Sequence, residues 1–143
     1  MEATESYGAV ELLKLARHCH GIDKYVSSSV GLSIDEMHCL SALFTDRPPS
    51  VKRLSELISV TPTRASQILR SLEQRQFVSR TLDAADRRKE VVDLTESGRR
   101  TVDTILQLFS EVGSELLANW RKTLDEQRSG SLPPSRPAKE VLA

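Results

Sequence analysis

Two helix-start signals close together constrain the middle of this chain more than any other feature. Ser50 directly follows Pro48-Pro49, and Thr61 directly precedes Pro62. Serine and threonine hydroxyls cap helix N-termini, and proline suits the first helical position because its missing N–H costs nothing there. The pattern therefore predicts a short helix, a turn at Ser59-Val60, and a second helix that begins at Pro62.

The second of these helices divides into a buried face and a polar face. Its apolar residues recur at helical spacing and are expected to face the core: Ala65, Ile68, Leu69 and Leu72. Its outward residues are short hydrogen-bonding groups or arginine, the side chains that read base edges in the major groove. The residues expected to contact DNA here are Thr61, Thr63, Arg64, Ser66, Gln67 and Arg70. An ordinary solvated helix face is the alternative interpretation.

A charged ribbon follows this helix. Two short strand-like runs, Phe77 to Leu82 and Lys89 to Leu94, flank the loop Asp83 to Arg88. Its cations are candidates for contacts with the phosphate backbone or a narrow minor groove: Arg80, Arg87, Arg88 and Lys89. Asp86 either anchors an arginine or serves only in the turn. Helix, turn, helix and ribbon together are the outline of a winged helix-turn-helix, a module that reads DNA.

The charge of the chain is balanced overall but unevenly distributed. Between Arg47 and Arg100 there are 12 Lys/Arg and 7 Asp/Glu, a net of +5, and the remainder carries −5. An acidic body with a basic segment suits a protein that meets phosphate with one face. A solvated surface with no such partner would carry the same charge.

Helical patterns flank the module on both sides. Tyr7 to about Ser28 shows apolar residues at 3-4 spacing, and Ser33 with Glu36 forms a capping box for the next helix. From Thr95 to about Glu126 an apolar stripe extends further than the module can cover, so a second copy of the chain is expected to cover part of it. A monomer with a bent or frayed helix is the alternative.

The predicted fold is mainly α with a small β ribbon. A winged helix-turn-helix at 31–96 is expected between dimerisation helices at 1–30 and 97–127, with a disordered tail at 128–143 that is rich in Ser, Pro and Gly. No run approaches the ~20 apolar residues of a bilayer span, and the N-terminus does not resemble a secretion signal. Two cysteines are too few for a disulfide framework, which is typical of a reducing compartment. A cytoplasmic protein without a membrane partner is expected.

In order along the chain, these residues resemble bacterial transcriptional regulators of the MarR (multiple antibiotic resistance regulator) family. The matching pieces are Gly31-Leu32-Ser33, Leu54 to Leu57, Thr61 to Leu72, Phe77 to Arg80, Asp86-Arg87-Arg88 and Val92 to Gly98. The last two are the most specific, since a wing Asp-Arg-Arg followed by Leu-Thr-x-x-Gly is rarely found elsewhere. The resemblance implies a homodimer on a palindromic operator in double-stranded DNA, usually a repressor released by a small-molecule effector or by oxidation.

The sequence departs from the family pattern in two places. Gln76 stands where the family usually has glycine before the strand, so this helix end must form without the residue that best tolerates a left-handed backbone. The usual last C-terminal helix has no counterpart, so a smaller or differently built dimer is expected. That difference motivates the alternative function, a protein-interaction module that antagonises a related regulator by heterodimerisation and does not itself bind DNA.

Other chemistry has weaker support in the sequence. His18, Cys19, His20, His38 and Cys39 include good ligands for zinc or copper, but neighbouring positions on one helix point in different directions. Cys19 and Cys39 are also considered as redox switches, without a strong cationic setting. The sequence lacks a glycine-rich phosphate loop, a nucleophile elbow and a His-Glu-x-x-His motif. No enzyme activity, cofactor or metal is therefore expected.

Overall fold

A computed structural model describes residues 3–129, with the side chains of residues 3–7 and 127 excepted. Five helices and one two-stranded antiparallel sheet follow each other along this part of the chain: α1 (Ala3–Ser29), α2 (Ile34–Thr45), α3 (Val51–Leu57), α4 (Pro62–Gln74), β1 (Val78–Leu82), β2 (Glu90–Leu94) and α5 (Glu96–Arg128). The predicted class, mainly α with a small ribbon, is confirmed. The predicted tail lies outside the described residues, apart from its first two positions.

Helices α2, α3 and α4 begin where their capping residues predict, whereas α1 begins at Ala3, before the predicted Tyr7. The Ser33 hydroxyl accepts the amide hydrogen of Glu36 at 3.1 Å, and the Glu36 carboxylate accepts that of Ser33 at 3.0 Å. Ser50 caps α3 through the amide of Arg53, and Thr61 caps α4 with Pro62 in its first turn. Each hydroxyl satisfies a donor that the helix itself leaves unpaired.

Three helices end in the same left-handed turn. The second residue after the last helical residue has positive φ at Gly31 (69°), Ser59 (58°) and Gln76 (63°). In each case the next amide bonds back to a carbonyl five residues earlier, as Phe77 N–H does to Leu72 at 2.9 Å. Gln76 therefore adopts the backbone conformation that glycine would adopt most easily.

The described residues divide into two compact units. One is Tyr25–Leu108, and the other joins the described parts of Met1–Lys24 and Phe109–Ala143. The first unit contains all the fully buried apolar side chains found among the described residues, the largest being Met37, Leu40, Leu54, Ile68, Leu69, Leu72 and Ile105. It extends beyond the 31–96 drawn from the sequence, because Val26 and Val102 belong to the same core.

The second unit has apolar faces without a fully buried core. On α1, Leu12 and Leu13 are 59% and 53% exposed, and on α5 Leu117 is 53% exposed. Val112, Leu116 and Trp120 are only half-buried. Within residues 3–129, no helix combines the length and the apolar composition needed to cross a membrane.

Candidate nucleic-acid interface

Helix α4 presents the two faces that its sequence predicts. Ala65, Ile68, Leu69 and Leu72 are buried in the core of the Tyr25–Leu108 unit. Of the predicted base-reading residues, Ser66 is half-buried and the others are exposed: Thr61, Thr63, Arg64, Gln67 and Arg70. The hydroxyl of Thr61 accepts the Arg64 amide at 3.1 Å, so part of its hydrogen-bonding capacity serves the helix cap.

A polar network fixes α4 against the start of α2. One Glu36 oxygen caps α2, while the other accepts the Ser71 hydroxyl at 3.1 Å and Arg75 Nη1 at 3.4 Å. Arg75 also donates Nη2 to the Gly31 carbonyl at 2.8 Å, and its guanidinium lies 5.1 Å from the centre of the Phe77 ring. A single carboxylate thereby joins two helices.

Glu36 remains ionised in this setting. Burial acts to raise its pKa, but the hydrogen bonds from the Ser33 backbone, Ser71 and the Ser33 hydroxyl, together with the Arg75 charge, outweigh burial. The net pKa of Glu36 is therefore below its usual value. Sequence reasoning found the capping role of Glu36 but missed Ser71 and Arg75, because no local pattern joins residues this far apart.

The wing is a short ribbon with a structured tip. Its register pairs Val78 with Leu94 and Leu82 with Glu90. Asp86 accepts the Arg88 amide at 3.1 Å, which settles its role as a turn residue. Arg87, Arg88 and Lys89 are exposed, and no described carboxylate forms an ion pair with them. Within residues 3–129, the cations at the tip therefore have no ion-pair partner, and we call them uncommitted.

Arg80 is placed differently from the other wing cations. Its Nε lies 3.4 Å from a Glu73 oxygen and its Nη1 lies 3.7 Å from a Glu90 oxygen. Nε and Nη2 are buried and form no hydrogen bond among the described residues. This side chain joins the end of α4 to β2, whereas the sequence made it a candidate for contact with DNA phosphate. Any contact with phosphate would require it to leave both carboxylates.

Hydrogen bonds join the base of the wing to the start of α5. Thr95 N–H donates to the Phe77 carbonyl at 3.1 Å, and its hydroxyl donates to the Gln76 carbonyl at 2.7 Å. The same hydroxyl accepts the Gly98 amide at 3.0 Å, capping α5. Gly98 is buried so close to Phe77 that a Cβ would overlap its carbonyl oxygen. This junction explains physically why the sequence reads Leu-Thr-x-x-Gly here.

Sequence comparison identifies the family of this region. The sequence pattern of the MarR family matches residues 32–89, which include α2, α3, α4, β1 and the wing tip. Residues 32–89 form a MarR family domain. The family consists of transcriptional regulators and not of enzymes.

Individual relatives agree with this family. The uncharacterized HTH-type transcriptional regulator YwaE of Bacillus subtilis (strain 168) is 26% identical over 126 residues, 88% of this chain and 70% of that protein. MepR, a transcription regulator of the Staphylococcus aureus multidrug efflux pump MepA, has a TM-score of 0.67 at 20% identity, covering 87% of this chain and 91% of MepR. The YusO protein from Bacillus subtilis gives 0.63 at 19% identity, covering 89% and 92%. At these identities the solved structures establish the winged-helix fold alone.

The cysteines and histidines do not assemble into a metal site in the described part of the chain. Within residues 3–129, no three His, Cys, Asp or Glu side chains come close enough to hold a metal ion. Cys19 is exposed, whereas Cys39 is fully buried. Burial, assisted by Glu36 and opposed by Arg80, raises the pKa of the Cys39 thiol to about 12. Cys39 therefore lacks the thiolate that redox sensing requires.

A cleft lies beside the ribbon formed by β1 and β2. Its volume is about 370 Å³, and it is formed by the end of α2, the following loop, β2 and the first turns of α5. Phe44, Pro48 and Val92 supply apolar walls, while Arg47 and Arg99 supply cations. The mixed lining could accept a small molecule with an apolar body and an acidic group.

Proposed function

We propose that this protein is a sequence-specific DNA-binding regulator that acts as a homodimer. Two copies of α4 enter successive major grooves of a palindromic operator, and the wing tips grip the flanking backbone or minor groove. The observation that carries the proposal is the polar face of α4, fixed on a buried core beside the uncommitted cations Arg87, Arg88 and Lys89.

Within that surface, the residues divide by chemistry. Gln67 and Arg70 can form bidentate hydrogen bonds to adenine and guanine, and Thr63 and Ser66 can reach bases or phosphate. The wing cations are assigned to phosphate, where their effect is independent of sequence. Arg80 is assigned to holding the wing against α4, since its guanidinium already faces Glu73 and Glu90.

The dimer is supported by the apolar faces of α1 and α5. Leu12, Leu13 and Leu117 are more than half exposed, a costly arrangement unless another surface covers them. A second copy is the occupant we propose, because a symmetric pair would present two reading helices to a palindrome. Repression, release by an effector and a cytoplasmic location belong to the same proposal.

The solved relatives provide support by analogy. MepR has been solved in complex with DNA, in a structure that gives a TM-score of 0.61 to this chain at 19% identity, covering 85% of this chain and 92% of that one. MepR has also been solved bound to ethidium bromide, with a TM-score of 0.56. By this analogy, we propose that an effector weakens operator binding by the present protein.

Selection of operators from random duplexes, followed by binding titrations, tests the proposal. Two half-sites centred about 10 bp apart are expected. Arg88→Ala should weaken binding to all sequences and lower the salt slope by about one, because one phosphate contact is lost. Gln67→Ala should cost about 1–3 kcal/mol and relax preference at one base pair.

The matched control is Lys122→Ala, which removes an exposed cation of α5 outside residues 32–89 and on a different side of the helix from Leu117. It should leave operator affinity and salt slope unchanged. Wild-type protein that selects no sequence and binds no duplex at low salt would refute DNA binding. Co-purification with a second regulator under the same conditions would then favour the heterodimeric antagonist.

A further inference from the structure

One cation of the reading face has an intramolecular partner. Arg64 Nη2 lies 3.5 Å from Asp35 Oδ2, an ion pair between side chains 49% and 41% exposed. The partners come from different helices, since Arg64 is in the first turn of α4 and Asp35 is in the first turn of α2. This contact joins the candidate DNA surface to an acidic group that the DNA-binding proposal does not use.

The electrostatics of the two helix ends favour this pairing. A helix N-terminus attracts anions and disfavours cations, so Asp35 is well placed on α2 while Arg64 is poorly placed on α4. Both helices are fixed relative to each other by the Glu36, Ser71 and Arg75 network. The packing of α2 against α4 therefore places the Asp35 side chain close to the Arg64 side chain.

We propose that Asp35 is a specificity-determining residue that restrains Arg64 from unspecific contact with DNA phosphate. The inference rests on the proposed DNA-binding function. An exposed pair of this kind is worth only about 0.2–1 kcal/mol, so correct base contacts can displace the carboxylate. On unspecific DNA, a single phosphate contact would stabilise Arg64 less than correct base contacts do, so it would not offset loss of the ion pair. Arg64 therefore stays with Asp35. The carboxylate thereby lowers unspecific affinity more than operator affinity.

The test measures affinity for operator and for unrelated duplex over a range of salt concentrations. Asp35→Asn, which keeps the side-chain shape, should raise affinity for unrelated duplex by about two- to fivefold. Its salt slope on that duplex should steepen by about one, because Arg64 now contacts phosphate. Operator affinity should rise less, so the ratio of operator to unrelated binding falls.

A double-mutant cycle separates this mechanism from a simple change of net charge. In an Arg64→Ala background, Asp35→Asn should no longer raise affinity for the unrelated duplex. Glu96→Gln is the matched control, since it removes the same charge and frees Arg100 from its pair on α5. That variant should leave the ratio of operator to unrelated binding unchanged.

Two outcomes would overturn the inference while leaving DNA binding intact. One is an equal gain from Asp35→Asn in the presence and absence of Arg64. The other is an unchanged affinity ratio in a variant whose circular dichroism and melting temperature match wild type. Failure of wild-type protein to bind any duplex at low salt would instead refute the proposed function itself.

Discussion

Gly98 shows how much a single residue can constrain this molecule. It lies in the first turn of α5, where the carbonyl of Phe77 occupies the space that any side chain would need. The carbonyl is not free to move, because it already accepts the amide of Thr95 at 3.1 Å. The end of α4, the ribbon and α5 meet at this contact.

Gly98→Ala is therefore expected to destabilise the protein by about 1–3 kcal/mol or more, because the overlap is with backbone and not with a flexible side chain. Thermal or urea unfolding measures the change. Gly113→Ala is the matched control, since nothing lies within 4 Å of the added Cβ in the same helix. That control should be neutral or more stable by up to about 1 kcal/mol, because alanine favours helix. Equal stability of the two variants would contradict the packing described at Gly98.

Among the elements, α2 and α4 depend on each other through Glu36. The carboxylate of Glu36 accepts hydrogen bonds from Ser33, Ser71 and Arg75, and only 13% of its side chain is exposed. Ionisation of Glu36 is linked to folding because its pKa is lower in the folded state than its ordinary value of 4.5. Stability from this group is present above that value and is lost as pH falls through the lowered pKa.

Glu36→Gln is expected to lower the free energy of unfolding by about 1–3 kcal/mol at pH 7, because hydrogen bonds to a charged acceptor are lost. The difference from wild type should shrink as pH falls below 4.5. Urea unfolding at several pH values measures both effects. Glu56→Gln, which breaks an exposed pair with Arg53, should change stability by less than about 1 kcal/mol. A pH-independent deficit in Glu36→Gln would contradict the linkage.

The elements also show what could be predicted from the sequence. Helix starts at Ser33, Ser50 and Thr61 were predictable because capping is a local interaction between a side chain and the next turn. The buried face of α4 was predictable from its period. These local signals predict most of the helical structure of residues 32–89 from the sequence alone.

Interactions between distant residues could not be predicted in this way. The sequence made Arg80 a candidate for contact with DNA, but its guanidinium turns toward Glu73 on a preceding helix and Glu90 on the paired strand. The Asp35–Arg64 pair likewise joins residues 29 positions apart. A long side chain can pair with any of several neighbours, and only the packed fold determines which neighbours lie within its reach.

At the scale of the whole molecule, the two compact units differ in how completely they bury apolar side chains. The Tyr25–Leu108 unit has a closed core, whereas the helices of the other unit keep Leu12, Leu13 and Leu117 largely exposed. Exposed leucines at this density favour self-association. Dimerisation through these helices remains a proposal that solution measurements can decide.

Leu117→Lys should therefore weaken or abolish the dimer, because a charge would be buried against a second copy. Sedimentation velocity or light scattering over a range of concentrations measures the effect, and operator affinity should fall with it. Glu115→Lys is the control, since it adds a lysine two positions away on another side of α5. A wild-type protein that is monomeric at all concentrations would count against the dimer.

The contact at Gly98 also bears on how such proteins can diverge. Among the described residues, no hydrogen bond joins an outward residue of α4 to Phe77 or Thr95. A lineage could therefore exchange Thr63, Gln67 and Arg70 and acquire a new operator without disturbing that junction. Gly98 has no such freedom, because every other amino acid brings a Cβ. The residues that maintain the fold and the residues that would change the DNA target thus occupy different positions.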